Sequence, residues 1–281
     1  MSMNTVGITE DEYKTISGFV YDKFGIKLGD QKKTLIIERL QKILRIGGFA
    51  NFKQYFDYII SEPTGEAILT FIDKVSTHHT FFFRENDHFE YMSNHALPYL
   101  VNKYKRSGEA VDIRIWCAGC SSGEEPYSVA MCVNEFIETN RLKPTDISIL
   151  ATDISVASLE KASSAIYQAP SLAHVPPLYR QKYFSAPASD GNFCVKPFLR
   201  DRILFRRLNL MREDYPFSGR FDIIFCRNVM IYFDAPTRSS LIGRYHRYTK
   251  EEGYLFIGHS ESISRSTLIY KYIKPAVYQK A

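Results

Sequence analysis

"IRIWCAGCSSGEEPYS", from Ile113 to Ser128, decides how the rest of the chain is read. An apolar, β-branched run meets Gly119 and Gly123, and two carboxylates, Glu124 and Glu125, then open an apolar-periodic segment. A strand entering a glycine turn and then a helix is how open α/β folds bring their backbone close to a nucleotide. A phosphate-cradling P-loop requires G-x-x-x-x-G-K-[ST], but here the glycines are one residue closer and Glu124 follows the second. The G-x-G-x-x-G of dinucleotide sites is absent too. Carboxylates at a helix start stand where the helix dipole would receive an anion, so a pyrophosphate is repelled. The ligand that fits is a nucleoside with a ribose and a cationic appendage, of which S-adenosylmethionine, bearing a sulfonium and an ammonium, is the common example. Glu124, next to Gly123, is read as facing that ligand, while Glu125 is divided between a ligand role and stabilising the helix N-terminus. Asp153 ends a second apolar run, "ISILATD". It is read as accepting hydrogen bonds from ribose hydroxyls, against the alternative of capping the helix after Ser155.

Working outward, "DIRIWC", "ISILATD", "ILFRRLNL", "FDIIFC", "GYLFIG" and "YIKPAVYQ" read as strands, with helical spacing between several of them. Alternation of this kind predicts a mainly parallel sheet with helices on both faces. Upstream, "EDEYKTISGFVYDKF", "KKTLIIERLQKILR" and "NFKQYFDYII" have helical spacing and almost no strand signal. The expected organisation is a helical domain with its linker over 1–95 and a Rossmann-like α/β domain over 96–281. Prolines at 170, 176, 177, 187 and 197 interrupt the alternation, so about 168–200 is read as a small inserted β-subdomain.

The 281 residues, 45% hydrophobic, are ample for a buried core, and a net charge of +5 is far from the concentrated basicity of a nucleic-acid binder. No segment has the roughly 18 apolar residues of a membrane span, and the start lacks an apolar signal core, so a cytoplasmic protein is expected. Cys117 and Cys120 form a C-x-x-C, but no second pair accompanies it, and the five cysteines are read as reduced and mostly buried.

Two further motifs give these residues a family. "STHHTFFFRE" from Ser76 to Glu85, "CSSGEEPYS", and "FDIIFCRNVMIYFD" from Phe221 to Asp234 followed by "GHSES" together resemble the CheR family of chemotaxis receptor methyltransferases, over nearly the whole chain. The resemblance implies methyl transfer from S-adenosylmethionine to glutamate side chains on the cytoplasmic helices of chemoreceptors, giving glutamyl methyl esters and S-adenosylhomocysteine. It places His78, Thr80, Arg84, Glu124, Asp153, Asn209, Leu210, Arg227 and Asn228 around the cofactor and Tyr232 near the transferred methyl group. His78 departs from the family's usual asparagine. Arg84 and Tyr232 are the catalytic candidates, Arg84 for the incoming carboxylate, with pairing to Glu85, Asp87 or the cofactor as its alternative. Adjacent histidines at 78 and 79 point in different directions, no third ligand is evident, and no metal is expected.

The expected partner is the acidic helical region of membrane chemoreceptors, not nucleic acid. The segment "QKKTLIIERLQKILRI" sets Ile36, Leu40, Ile43 and Leu44 on one side and Lys32, Arg39, Lys42 and Arg45 on the other, a basic face suited to that partner. Some family members hold a receptor C-terminal peptide on the β-subdomain, but the composition of 168–200 shows no groove. The rival readings are an idle cofactor-binding adaptor and a methyltransferase of another sensory pathway.

Overall fold

A computed structural model describes residues 7–29, 33–76, 79–187, 191–263 and 269–281. They fall into two compact units, one holding the helices up to Ser76 together with Tyr232–Thr237, the other the remainder.

The first unit has four helices, α1 (Glu10–Phe24), α2 (Lys33–Gly47), α3 (Phe52–Ser61) and α4 (Glu66–Val75). Thr9 and Glu12 form a reciprocal capping box at the start of α1, and Gly25 closes it in the left-handed conformation. Ile36, Leu40 and Leu44, one helical turn apart on α2, are buried as their spacing predicts, whereas Ile43 is only partly so. Arg39, half-buried, donates from Nη1 to the carbonyls of Lys74 at 3.2 Å and Ser76 at 2.9 Å, satisfying acceptors left open at the end of α4. Lys42 and Arg45 are exposed, and Lys32 lies outside the described residues. The Tyr232 carbonyl accepts from Lys27 N at 2.9 Å, and Asp234 accepts from the Tyr21 hydroxyl at 2.7 Å.

The second unit begins with α5 (Asp87–Tyr91), which passes through a π turn at Met92–Ala96 into α6 (Leu97–Ser107). There follow β1 (Ile113–Ala118), α7 (Glu124–Asn140), β2 (Ile147–Asp153), α8 (Val156–Ser164), β3 (Ile166–Gln168), α9 (Pro177–Tyr183), β4 (Asn192–Cys194), α10 (Pro197–Arg200) and β5 (Ile203–Arg207). The chain ends with β6 (Phe221–Cys226), α11 (Ala235–Tyr248), β7 (Thr249–Ile257), β8 (Tyr270–Lys274) and β9 (Val277–Lys280). One seven-stranded sheet has the order β5-β2-β1-β6-β7-β9-β8, parallel through β7 and antiparallel beyond it. Central β6 is buried at every position, as expected for a parallel strand covered on both faces. Trp116, fully buried on β1, bonds Thr152 on β2 through its indole N–H at 2.9 Å.

Two details differ from the sequence reading. "YIKPAVYQ" is a hairpin rather than one strand, because Pro275 and Ala276 turn the chain between β8 and β9, Ala276 at φ +63°. "ILFRRLNL" leaves the sheet after Arg207, and 208–220 contains no helix. The interrupted region holds the antiparallel pair β3 and β4, extended by a bridge from Phe184 to Val195, with α9 between the strands. The cysteines are free thiols, Cys194 being the one that is not buried.

Candidate functional site

The sheet order reverses between β1 and β6: β1 is followed by β2 on one side, and β6 and β7 lie on the other. Open α/β sheets bind their ligands at such a switch point, outside the carboxyl ends of the strands. Gly119, Asp153, Arg227 and Gly258 either end or directly follow β1, β2, β6 and β7, so the topology alone gathers the motifs found in sequence.

The turn after β1 needs its glycines. Gly119 has φ +84°, and a Cβ there would come within 2.4 Å of Val229 Cγ2, so the loops after β1 and β6 touch through a bare backbone. Gly123 has φ +97°, and its Cβ would lie 2.8 Å from the Tyr167 hydroxyl and 2.9 Å from Ala162 Cβ. Between them Ser121, also at positive φ, donates its N–H to Asp153 Oδ2 at 2.7 Å, and Ser155 N donates to Oδ1 at 2.9 Å. Ser155, rather than Asp153, caps α8 by accepting from Ser158 N. Asp153 is thus a carboxylate whose two oxygens are each fixed by a main-chain amide.

The two glutamates that open α7 have different surroundings. Glu125 forms an ion pair with Arg227 at 3.1 Å, and Arg227 also pairs with Glu85 at 3.1 Å, its side chain only 2% exposed. Burial pushes the Glu125 carboxyl above its ordinary value, with the Arg227 charge opposing it. For Glu85 burial acts in the same direction, but the Arg227 charge and the N–H of His259 outweigh it and hold the carboxyl below its ordinary value. Glu124 is 3% exposed and accepts from Ser122 Oγ at 2.7 Å, yet it has no ion-pair partner among the described residues. Burial pushes its carboxyl upward. With only the more distant charge of Lys161 acting on it among the described residues, this buried carboxylate leaves room for a cation, and this is what S-adenosylmethionine brings.

The segment carrying Thr80 and Arg84 is docked on α7 through Phe83 N, which donates to Ser128 Oγ at 3.0 Å, and through Phe82, fully buried against Tyr167 and Phe184. The backbone carbonyl of Arg84 accepts from Arg227, while the Arg84 guanidinium donates to the His79 carbonyl at 2.8 Å and makes no ion pair among the described residues. Among the described residues Arg84 pairs with neither Glu85, which holds Arg227, nor Asp87, which holds Lys274 and His259.

Asn209 and Leu210 follow β5, and Leu208 N donates to the Asp153 carbonyl at 2.9 Å, which brings this loop to the same strand ends. Asn209 Oδ1 accepts from Met211 N. Asn228, at φ +58°, donates its N–H to Glu261 and its side-chain amide to Glu85 at 3.4 Å. Tyr232 ends the turn Met230–Tyr232, a few residues beyond Asn228. His78 lies outside the described residues.

Sequence reasoning missed three carboxylate partners. Glu85 and Glu125 sandwich Arg227, and Glu261 accepts main-chain N–H groups from Asn228 at 3.0 Å, Gly258 at 2.6 Å and Ile231 at 3.2 Å. Their signal was the acidic residue inside each motif, "FFFRE", "GEEP" and "GHSES", beside a buried arginine. Glu85, His88 and His259 also bring ligand-type atoms within 4.8 Å of one another, but a cation there would compete with Arg227 for the Glu85 carboxylate.

A glycine turn, a strand-terminal aspartate and an uncompensated carboxylate at a switch point define a Rossmann-like methyltransferase that uses S-adenosylmethionine. The profile "CheR methyltransferase, SAM binding domain" matches residues 78–278, and "CheR methyltransferase, all-alpha domain" matches 11–76. The chain belongs to the CheR methyltransferase family. It is 45% identical over 275 residues to the chemotaxis protein methyltransferase of Borreliella burgdorferi, covering 98% of this chain and 96% of that one. It is 38% identical over 247 residues to the probable chemotaxis protein methyltransferase of Rhizobium etli, covering 87% and 90%. Over 261 residues it is 36% identical to the chemotaxis protein methyltransferase of Escherichia coli, covering 92% and 87%. Among the described residues no helix is long and apolar enough to cross a membrane.

Proposed function

We propose that this protein transfers a methyl group from S-adenosylmethionine to glutamate side chains on the cytoplasmic helical region of membrane chemoreceptors, giving glutamyl methyl esters. The observation that carries the reading is the asymmetry between adjacent carboxylates: Glu125 pairs with Arg227, while Glu124 is buried and, among the described residues, has no ion-pair partner, only the more distant charge of Lys161. The glycine turn and Asp153 fit the nucleoside, and beside them Ser121 Oγ is buried with no hydrogen-bond partner among the described residues.

When bound, S-adenosylmethionine supplies an electrophilic methyl group. A substrate glutamate, with an ordinary pKa of about 4.3, is already ionised at neutral pH, so the protein needs no general base. What the chain contributes is alignment and exclusion of water. Arg84, whose guanidinium forms no ion pair among the described residues, receives the incoming carboxylate through its fork of N–H donors, and the Tyr232 hydroxyl orients it. The Glu85–Arg227–Glu125 group holds the loop after β6. Lys42 and Arg45 supply the exposed part of the basic face that meets the acidic receptor.

Calorimetric titration with S-adenosylhomocysteine, with NAD as control, is expected to give one-to-one binding that Asp153→Ala abolishes. Transfer of a labelled methyl group to receptor should yield product that alkali releases as methanol, the mark of an ester. Arg84→Ala should slow turnover by about a hundredfold or more while leaving the fold intact. Alkali-stable product, or near-normal turnover in Arg84→Ala, overturns the assignment.

A further inference from the structure

The crossover from β5 to β6 leaves part of the sheet's second face without a helix. Trp116, Leu150 and Leu204 stand in register across β1, β2 and β5, with Thr152 and Arg206 in register two residues further along. The loop 208–220 covers this face only in part, and Leu204 remains 49% exposed. What results is a recess of about 440 Å³, within the size range of small-molecule sites.

Its floor is apolar, made by Leu150, Leu204, Phe217 and Phe221 among others. Arg114, Arg206, Arg207 and Arg220 also line it, and among the described residues no Asp or Glu does. Arg114 shares its charge with Asp112 at 2.8 Å, and Arg220 stands 3.9 Å from Glu251. Arg206 donates to the neighbouring carbonyl of Phe205, and neither it nor Arg207 has an ion-pair partner among the described residues. A Cβ at Gly219 would lie 2.8 Å from Arg114 Nη1, so the glycine leaves room for that guanidinium.

A recess with this charge repels a sulfonium and attracts an anion. Guanidinium groups match phosphate oxygens in two-point contacts, and an aromatic and aliphatic floor accepts the flat face of a base. We propose that this recess is a second ligand site that binds a phosphorylated nucleoside, its phosphates against Arg206 and Arg220 and its base over Phe217 and Leu204. The proposal does not depend on the methyl-transfer reading.

Trp116 is the sole tryptophan, and its ring lies 4.9 Å from Phe217 and 5.4 Å from Phe221, so its fluorescence reports on the floor of the recess. GTP is titrated into the full chain saturated with S-adenosylhomocysteine, following both fluorescence and heat, with guanosine and inorganic tripolyphosphate as separate probes. The expected result is one-to-one GTP binding at least about tenfold tighter than either probe, and at least about tenfold weaker in Arg206→Glu/Arg220→Glu. Both substituted residues are exposed, and unchanged S-adenosylhomocysteine binding by the variant verifies its fold independently. No GTP binding up to about 1 mM, binding unaffected by the charge reversal, binding abolished by S-adenosylhomocysteine, or tripolyphosphate binding as tightly as GTP would each overturn the proposal.

Discussion

The carboxyl ends of the parallel strands and the outer face of α2 are both dense in charge, yet the physics of the two is opposite. At the strand ends the charges are buried and divided among named partners, Arg227 between Glu85 and Glu125, and Glu261 among main-chain amides. On α2, Lys42 and Arg45 face water, while Arg39 is tied to carbonyls at the end of α4 and Lys33, at the start of the helix, pairs with Glu10. Burial makes each charge specific to its partner, whereas exposure leaves charges that act collectively and at a distance.

That difference is broken most directly at Arg227. Arg227→Ala leaves two largely buried carboxylates, 14% and 12% exposed, without their shared cation, and should lower the unfolding free energy by about 3–5 kcal/mol in a denaturant titration. A loss below about 1 kcal/mol would mean that Glu85 and Glu125 find other partners or simply hydrate, and that the strand ends are no more specific than a surface.

The backbone around these charges is equally particular. Gly123→Ala combines a left-handed backbone with a Cβ under 3 Å from Tyr167 and Ala162, for an expected cost of about 2–4 kcal/mol. Gly108→Ala is the matched control, since Gly108 has φ +75° with nothing within 4 Å, and should show only the backbone part, about 1 kcal/mol. Equal losses would show that the turn tolerates a side chain and that close approach is not why glycine stands at 123.

A third test uses pH. His88 is fully buried, packs against Phe256 and His259, and burial, aided by the Arg227 charge, pushes its pKa down to about 3. An unfolded histidine titrates near 6.5, so between the two values the unfolded chain binds the extra proton. Stability from this residue is therefore complete above about pH 6.5 and declines as the pH falls toward 3. Between pH 6.5 and 5 the wild type should lose up to about 2 kcal/mol more than His88→Phe, measured as the difference in their denaturation midpoints. Parallel pH curves would mean that Glu85, 3.6 Å from Nδ1, accommodates the imidazolium.

Much of this was legible in the sequence. The alternation of short apolar and helical segments carried the parallel sheet, and the acidic glycine turn excluded phosphate and pointed to a cationic nucleoside. Spacing carried the buried stripe of Ile36, Leu40 and Leu44 on α2. What it did not carry were partnerships across long sequence distances. Glu85 and Arg227 are 142 residues apart, and although Gly123 set Glu124 apart from Glu125 in the sequence, nothing local showed that Glu125 holds that arginine. The end of β5 after Arg207 was equally hidden, because "ILFRRLNL" returns to leucine at 208 and 210 and carries no glycine or proline to mark a stop, and with it the uncovered face behind the arginine-lined recess.

The smallest effect on stability is expected on α2, and it separates residues that the sequence treated alike. Lys42→Glu/Arg45→Glu changes only exposed charges and should alter the unfolding free energy by no more than about 0.5 kcal/mol. S-adenosylhomocysteine binding should be unaffected, while the apparent KM for receptor rises, and rises less at high salt because screening weakens attraction and repulsion alike. Arg39→Glu is a different experiment, since it replaces a donor to two α4 carbonyls with an acceptor that repels them. It should lower stability by about 1–3 kcal/mol, and any change in KM would then mix docking with folding. If Lys42→Glu/Arg45→Glu leaves receptor methylation unchanged, the exposed charges of α2 are solvated surface, and the receptor is met by another part of the molecule.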